Sequence, residues 1–238
     1  MKVVKVNKTR ENIMSLRTCG VYRGSFYKYN PDSFNILNTI VNNKEILSDE
    51  LYNLPTKYIY NRDKEFIGYL SKYLKKHSTI YDLIRLNINF DYDSVVANIA
   101  KIVIELERLG LNYYDLHDEN FMVDSNGDFK TIDIEGAEIL VDDKGKMFTI
   151  NNFWDLVFEI YLFRFNPDHP ARLNTVYFFD DITTYFSDEF VEYIDGVIRD
   201  DMDVLSVDIN KYLMEFKDNE KINELSLRLR IEGERHGY

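Results

Sequence analysis

The chain of 238 residues has one cysteine, four prolines and no long apolar run. The single Cys19 excludes an intrachain disulfide framework and a Cys-rich zinc site. The four histidines, His77, His117, His169 and His236, form no His-Glu-x-x-His pair. With no apolar stretch of about 18 residues, no membrane span is expected. The first residues, Met1-Lys-Val-Val-Lys-Val-Asn-Lys, lack the apolar centre of a signal peptide. A cytoplasmic location is therefore expected, with export by a signal-less route left open. Basic residues are outnumbered, 29 Lys+Arg against 41 Asp+Glu, for a net charge of −12. That balance argues against the broad basic face that nucleic acids need, and no nucleic-acid partner is expected. It does not exclude a phosphate held locally by a few donors and a metal ion. At 45% hydrophobic the chain can build a core, and its 15% aromatic content reads as core rather than stacking surface.

With ten glycines and four prolines, loop punctuation is sparse, and there is no repeat or low-complexity linker. Residues 21–29 are aromatic-rich and read as strand. Asn30-Pro-Asp-Ser33 is a turn with a helix-start signal, and Phe34, Leu37, Ile40 and Val41 follow helical spacing in a helix expected to run to about Asp49. Residues 57–60 and 65–73 read as two strands. A short helix is expected over 79–86 and a stronger one over 94–109, closed by Gly110. Residues 121–123 and 129–132 read as a hairpin turning at Asp124-Ser-Asn-Gly127. A second hairpin is expected, 138–141 with 147–150, and then an apolar helix over 153–163. Two or three more helices fill residues 187–235. The expected class is α+β, with a small strand-rich part over about 1–74 and a larger helical part over about 75–238. Ligands favour the cleft between such parts.

The segment with chemistry in it is Tyr113-Tyr-Asp-Leu-His-Asp-Glu-Asn-Phe-Met-Val123, followed by Thr131-Ile-Asp-Ile-Glu-Gly136. Asn120 follows Asp115 by five residues, and Asp133 follows Asn120 by thirteen with the hairpin between. A hairpin returns the chain to near its start, so it can set Asn120 and Asp133 side by side as two oxygen ligands. Such a pair suits Mg²⁺. Asp124, Asn126, Asp128 and Glu135 also fall at EF-hand spacing, but Phe129 stands at the glycine position and the flanks read as strands. Lys75-Lys-His77 reads as a solvated turn.

Tyr114-Asp-Leu-His-Asp-Glu-Asn120 resembles the catalytic loop of the protein-kinase-like superfamily. It is closer still to the Asp-Leu-His-x-x-Asn form of aminoglycoside- and choline-kinase relatives. Asp133-Ile-Glu-Gly resembles that superfamily's Asp-Phe-Gly metal motif, and the element order of a two-lobe kinase-like fold also fits. The resemblance implies that Asp115 accepts the substrate hydroxyl proton. It implies that Asn120 and Asp133 hold Mg²⁺, with Mn²⁺ as a substitute, and that Lys28 contacts the α- and β-phosphates of ATP. Glu45 would pair with Lys28, with Glu50 as the rival. Residues 71–74, Ser71 and Tyr73 among them, would meet the adenine, and Asp155 would support the catalytic loop. His117 either stands in for a phosphate-contacting lysine or hydrogen-bonds within the loop.

The departures are informative. Tyr113-Tyr114 replaces His-Arg, which removes the usual partner of an activation-loop phosphate. No Ala-Pro-Glu follows, and Thr18-Cys-Gly-Val-Tyr-Arg-Gly24 is a poor Gly-rich loop. The expected activity is ATP- and Mg²⁺-dependent transfer of a phosphoryl group to a hydroxyl, with protein Ser/Thr preferred. The alternatives are a small-molecule kinase, or an interaction protein of that fold with weak or activator-dependent catalysis. A protein acceptor or activating partner, basic to match the acidic chain, is expected.

Overall fold

A computed structural model describes residues 2–5, 19–140, 142–163, 179–217 and 219–236. It combines helices with small, mainly antiparallel sheets. Among the described residues no helix is long and apolar enough to cross a membrane.

The first sheet has five strands, β1 (Lys2–Lys5), β2 (Cys19–Tyr22), β3 (Ser25–Lys28), β4 (Lys57–Tyr60) and β5 (Phe66–Lys72), in the order β1-β4-β5-β3-β2. Only the β1–β4 pair is parallel. Residues 21–29 are therefore not one strand. They hold a tight hairpin whose turn residues, Arg23 and Gly24, both have positive φ (49° and 78°). Helix α1 (Phe34–Asn42) crosses the sheet and buries Leu37 and Ile40 completely. Phe34 packs on Phe66 and Tyr58 with ring centroids 5.0 and 5.7 Å apart, which fixes α1 to β4 and β5. The helix stops at Asn42 rather than about residue 49. Asn43 closes it: its backbone N–H donates to Ile40 O at 3.3 Å and its side-chain Nδ2 to Thr39 O at 2.7 Å. The last carbonyls are thus satisfied without another turn of helix.

The next segment is tied down by one buried carboxylate. Glu105, 4% exposed, accepts from Ser48 N (3.1 Å), Ser48 Oγ (2.6 Å) and Tyr52 OH (2.9 Å). It projects from α3 (Tyr92–Arg108), which Asp91 caps by accepting from Ser94 N at 3.0 Å. Helix α3 buries Val95, Val96, Ile99, Ile102, Val103 and Leu106, the stripe its sequence period predicts. Before it come β6 (His77–Thr79) and α2 (Ile80–Arg85).

After α3 the chain makes β7 (Leu111–Tyr113), β8 (Phe121–Asp124), β9 (Phe129–Thr131) and β10 (Ala137–Ile139). β8 and β9 form the expected hairpin, with β6 beside β8. Asp124 Oδ1 organises its turn by accepting from the N–H groups of Asn126 and Asp128, at 2.8 and 2.9 Å. β10 does not form a second hairpin. It pairs antiparallel with β7, Tyr113 opposite Ala137. Residues 147–150 belong instead to α4 (Asp143–Leu162), whose first turn is capped by Asp142 accepting from Gly145 N at 3.2 Å. The expected turn at Asp142–Gly145 is therefore a helix start. Met147, Ile150, Phe153, Trp154 and Val157 are buried at helical spacing, which outweighs a four-residue resemblance to strand.

Among the described residues the remaining α-helices are α5 (Asp188–Ile198), the short α6 (Asn210–Leu213) and α7 (Glu220–His236). Aromatic residues do form the core here: Trp154 packs among Phe190, Tyr193 and Phe216, and its Nε1 donates to Tyr193 OH at 3.0 Å.

The Glu105 clip is testable. Glu105→Ala strands three donors and should cost about 2–3 kcal/mol in urea unfolding, while Tyr52→Phe, which removes one, should cost about 1 kcal/mol. A Glu105→Ala variant as stable as the parent would contradict the clip.

Candidate functional site

The β7–β10 pairing positions the site. With Tyr113 opposite Ala137, the loop that leaves β7 and the turn that enters β10 lie side by side, and the β8–β9 hairpin projects between them. Asp115 lies just past one end of this pairing, and Asp133, Glu135 and Gly136 lie just before the other. Two further bonds hold the loops together. Ile132 N donates to Asn120 O at 2.9 Å, and the buried Tyr113 OH donates to Ile132 O at 3.2 Å. A Cβ placed on Gly136 would stand 2.9 Å from Asp115 Cβ and 3.2 Å from its Oδ2, so this close approach requires glycine.

Within the first loop, Asn120 Nδ2 donates to Asp115 O at 2.7 Å and to Asp115 Oδ2 at 3.1 Å. That leaves the amide carbonyl oxygen as the end of Asn120 available to a cation. His117 hydrogen-bonds within the loop. Its Nδ1 accepts from Glu119 N at 3.3 Å, and its Nε2 lies 3.3 Å from Asp115 Oδ1. The same Nε2 lies 3.1 Å from Asn120 Nδ2, so the imidazole stands against both Asp115 and Asn120. The Asp115 side chain remains about half exposed. Support from below comes from Asn152 on α4, whose Nδ2 donates to Tyr114 O at 3.1 Å, one helical turn before the half-buried Asp155. No sequence motif marks Asn152.

The second loop meets the sheet. Lys28 and Tyr69 are register partners on β3 and β5 and so leave the sheet on one face. Lys28 Nζ lies 2.9 Å from Asp133 Oδ2 and 2.8 Å from Glu135 Oε1. Tyr69 OH donates to the same Glu135 Oε1 at 2.7 Å. Burial opposes the Lys28 charge, yet Glu135 and then Asp133 outweigh it and hold the ammonium above the ordinary lysine pKa. The stability this contributes is present below the ordinary lysine pKa and is lost only as pH rises through the raised folded value. Burial, then the two carboxylates, push the Tyr69 phenol up as well, so it remains a donor. Asp133 itself has a left-handed backbone, φ 53° and ψ 31°, a conformation stored at few non-glycine residues.

Lys28, Asp115, Asn120 and Asp133 thus gather where the two loops face the sheet. Glu45 does not join them. It is exposed in the turn after α1, because that helix ends early, and the ion pairs of Lys28 go to Asp133 and Glu135 instead. Glu50 is exposed too and faces Lys101 at 3.7 Å. Ser71 and Tyr73 border a cavity of about 190 Å³ beside Asp133, closed further by Phe26, Leu74, Met122 and Ile132. Ser71 is buried and Tyr73 exposed. Gly20 lies in β2 and Gly24 in its turn, while Thr18 lies outside the described residues.

The EF-hand spacing does not assemble a site, since Glu135 is engaged with Lys28. His77 lies in β6 with a largely buried side chain rather than in a solvated turn, and its Nε2 is 3.2 Å from Asp128 Oδ2. His77, Asp124 and Asp128 cluster, but Lys130 Nζ already neutralises Asp128 at 2.6 Å.

Gly68 and Gly136 test this geometry without reference to function. A Cβ at Gly68 would strike backbone, 2.2 Å from Lys28 O and 2.8 Å from Tyr29 Cα, whereas one at Gly136 meets the Asp115 side chain. Gly68→Ala should therefore cost more than about 2 kcal/mol and Gly136→Ala less, by chemical denaturation. The reverse order would contradict the packing described.

No protein-family model matches the chain, and no curated protein matches it.

Proposed function

We propose that this chain is a kinase-like phosphotransferase that moves the γ-phosphoryl group of ATP to a hydroxyl, with the Ser/Thr side chain of a protein as the preferred acceptor. The observation that carries the reading is the meeting of Lys28 with Asp133 at 2.9 Å. The sequence names these two residues separately, as a phosphate contact and a metal ligand, and they are far apart in the chain. The strand-rich residues up to about 74 and the helical remainder are read as the two lobes of such a fold.

The donors suit the chemistry. Asp133 supplies a carboxylate and Asn120 an amide oxygen, both hard ligands of the kind Mg²⁺ takes. Bound there, Mg²⁺ would neutralise phosphate charge. The Lys28 ammonium, kept charged by its two carboxylates, would contact the α- and β-phosphates. The apolar cavity bordered by Phe26, Met122 and Ile132 would take the base, with backbone groups of residues 71–74 along its edge. Asp115, oriented by Asn120 and His117, would accept the proton of the attacking hydroxyl. Phosphoryl transfer of this kind depends mainly on positioning and charge stabilisation. The acceptor preference rests on compactness. Between β5 and the Asp115 loop lie only β6, α2, α3 and β7, with no further helix to wall off a small substrate.

Incubation with γ-labelled Mg-ATP and a Ser/Thr-rich basic protein tests the reading. Labelling of protein hydroxyls is expected. Asp133→Ala should abolish transfer, and Asp115→Ala should slow it by about 10²–10⁴ while sparing nucleotide binding. Labelling of small alcohols alone would overturn the acceptor, and transfer of the nucleotidyl group would overturn the reaction.

A further inference from the structure

We infer that Glu135, anchored by the Tyr69 hydroxyl, is the positioning residue for Lys28, and that no carboxylate of α1 takes part in holding the lysine. The inference rests on the phosphotransferase reading and adds a residue that reading does not supply. Three observations carry it. First, α1 (Phe-Asn-Ile-Leu-Asn-Thr-Ile-Val-Asn) contains no carboxylate, and the acids that follow it, Glu45, Asp49 and Glu50, are all exposed, Glu50 facing Lys101. Secondly, the Glu135 side chain is 3% exposed and its Oε1 accepts from both Lys28 and Tyr69, at 2.8 and 2.7 Å. A buried carboxylate needs such donors to remain charged. Thirdly, Glu135 lies in the turn Ile134–Gly136 directly after Asp133, so both partners of Lys28 come from one continuous stretch of backbone.

This arrangement has a functional consequence. Where a lysine takes its carboxylate from a mobile helix, moving the helix switches the site off. Here the anchor cannot move without moving Asp133 as well. Glu135 Oε2 has no hydrogen-bond partner among the described residues, so the carboxylate is held through a single oxygen by the lysine and the phenol. Losing either donor should therefore be felt at the other.

The test compares Glu135→Gln, Tyr69→Phe and Glu45→Gln in the full chain by two readouts. In steady-state transfer, Glu135→Gln should raise KM for ATP by about tenfold or more, Tyr69→Phe should raise it less, and Glu45→Gln should leave it within about twofold. In competitive acylation of amines without nucleotide, Lys28 should react faster in Glu135→Gln than in the parent at the same pH, because the side chain, released from its 2.8 Å contact with the carboxylate, is free to meet the reagent. Glu135→Gln is close to isosteric, and Tyr69→Phe keeps the ring, so a folding failure of one leaves the other to report. Unchanged KM and unchanged Lys28 labelling in Glu135→Gln would overturn the inference, as would a Glu45→Gln defect of equal size. A parent protein that transfers no phosphate would overturn the phosphotransferase reading and the catalytic role with it. The labelling arm would then still decide whether Glu135 holds Lys28.

Discussion

One ammonium ties the sheet to the loops. Lys28 leaves β3 and lies between two carboxylates of the 133–136 turn. Placing charges away from water is costly unless they are paired and hydrogen-bonded. Here the cost is offset by two close ion pairs and by the Tyr69 phenol, which comes from the neighbouring strand in register with Lys28. The strand pairing therefore decides where the charge stands, and the charge decides where the turn stands. A cluster with two acids and one base retains a net negative charge, which favours a cation.

The rest of the scaffold serves this contact. β7 and β10 bring the two loops together, and the glycine at 136 lets them touch. Glu105 clips the 48–52 segment onto α3, and Asn53 continues the connection, its N–H donating to Thr131 O at 3.0 Å and its side chain to Lys72 O at 3.0 Å. The wall of the cavity and the β9 strand are thereby joined by hydrogen bonds to backbone carbonyls rather than by side-chain packing alone.

How much of this was legible in the sequence depended on distance along the chain. Asn120 and Asp133 are joined by one short hairpin, so their spacing alone predicts that they meet, and Asp115 lies five residues before Asn120 in the same loop. The aromatic core and the α3 stripe were legible from composition and period. The partner of Lys28 was not, because it depends on where α1 ends. That end is set by the Asn43 side chain, whose capping bond no periodicity reveals. Glu135 was visible as an EF-hand position and inside Asp133-Ile-Glu-Gly136, and its actual partner lies on a strand far back in the chain. Residues 138–150 misled for a related reason: Asp142-Asp-Lys-Gly145 has the composition of a turn, and the same residues make a good helix cap. Asn152 gave no local signal, since its role exists only once α4 packs beneath the Asp115 loop.

The most direct test of the central claim is a thermal shift of the intact protein with ADP or ATP, with and without Mg²⁺. A ligand that binds only the native state at one hundred times its Kd should stabilise it by about 2.7 kcal/mol. The account predicts a rise in Tm with nucleotide that grows when Mg²⁺ is added. No shift at saturating nucleotide, with or without Mg²⁺, would contradict it.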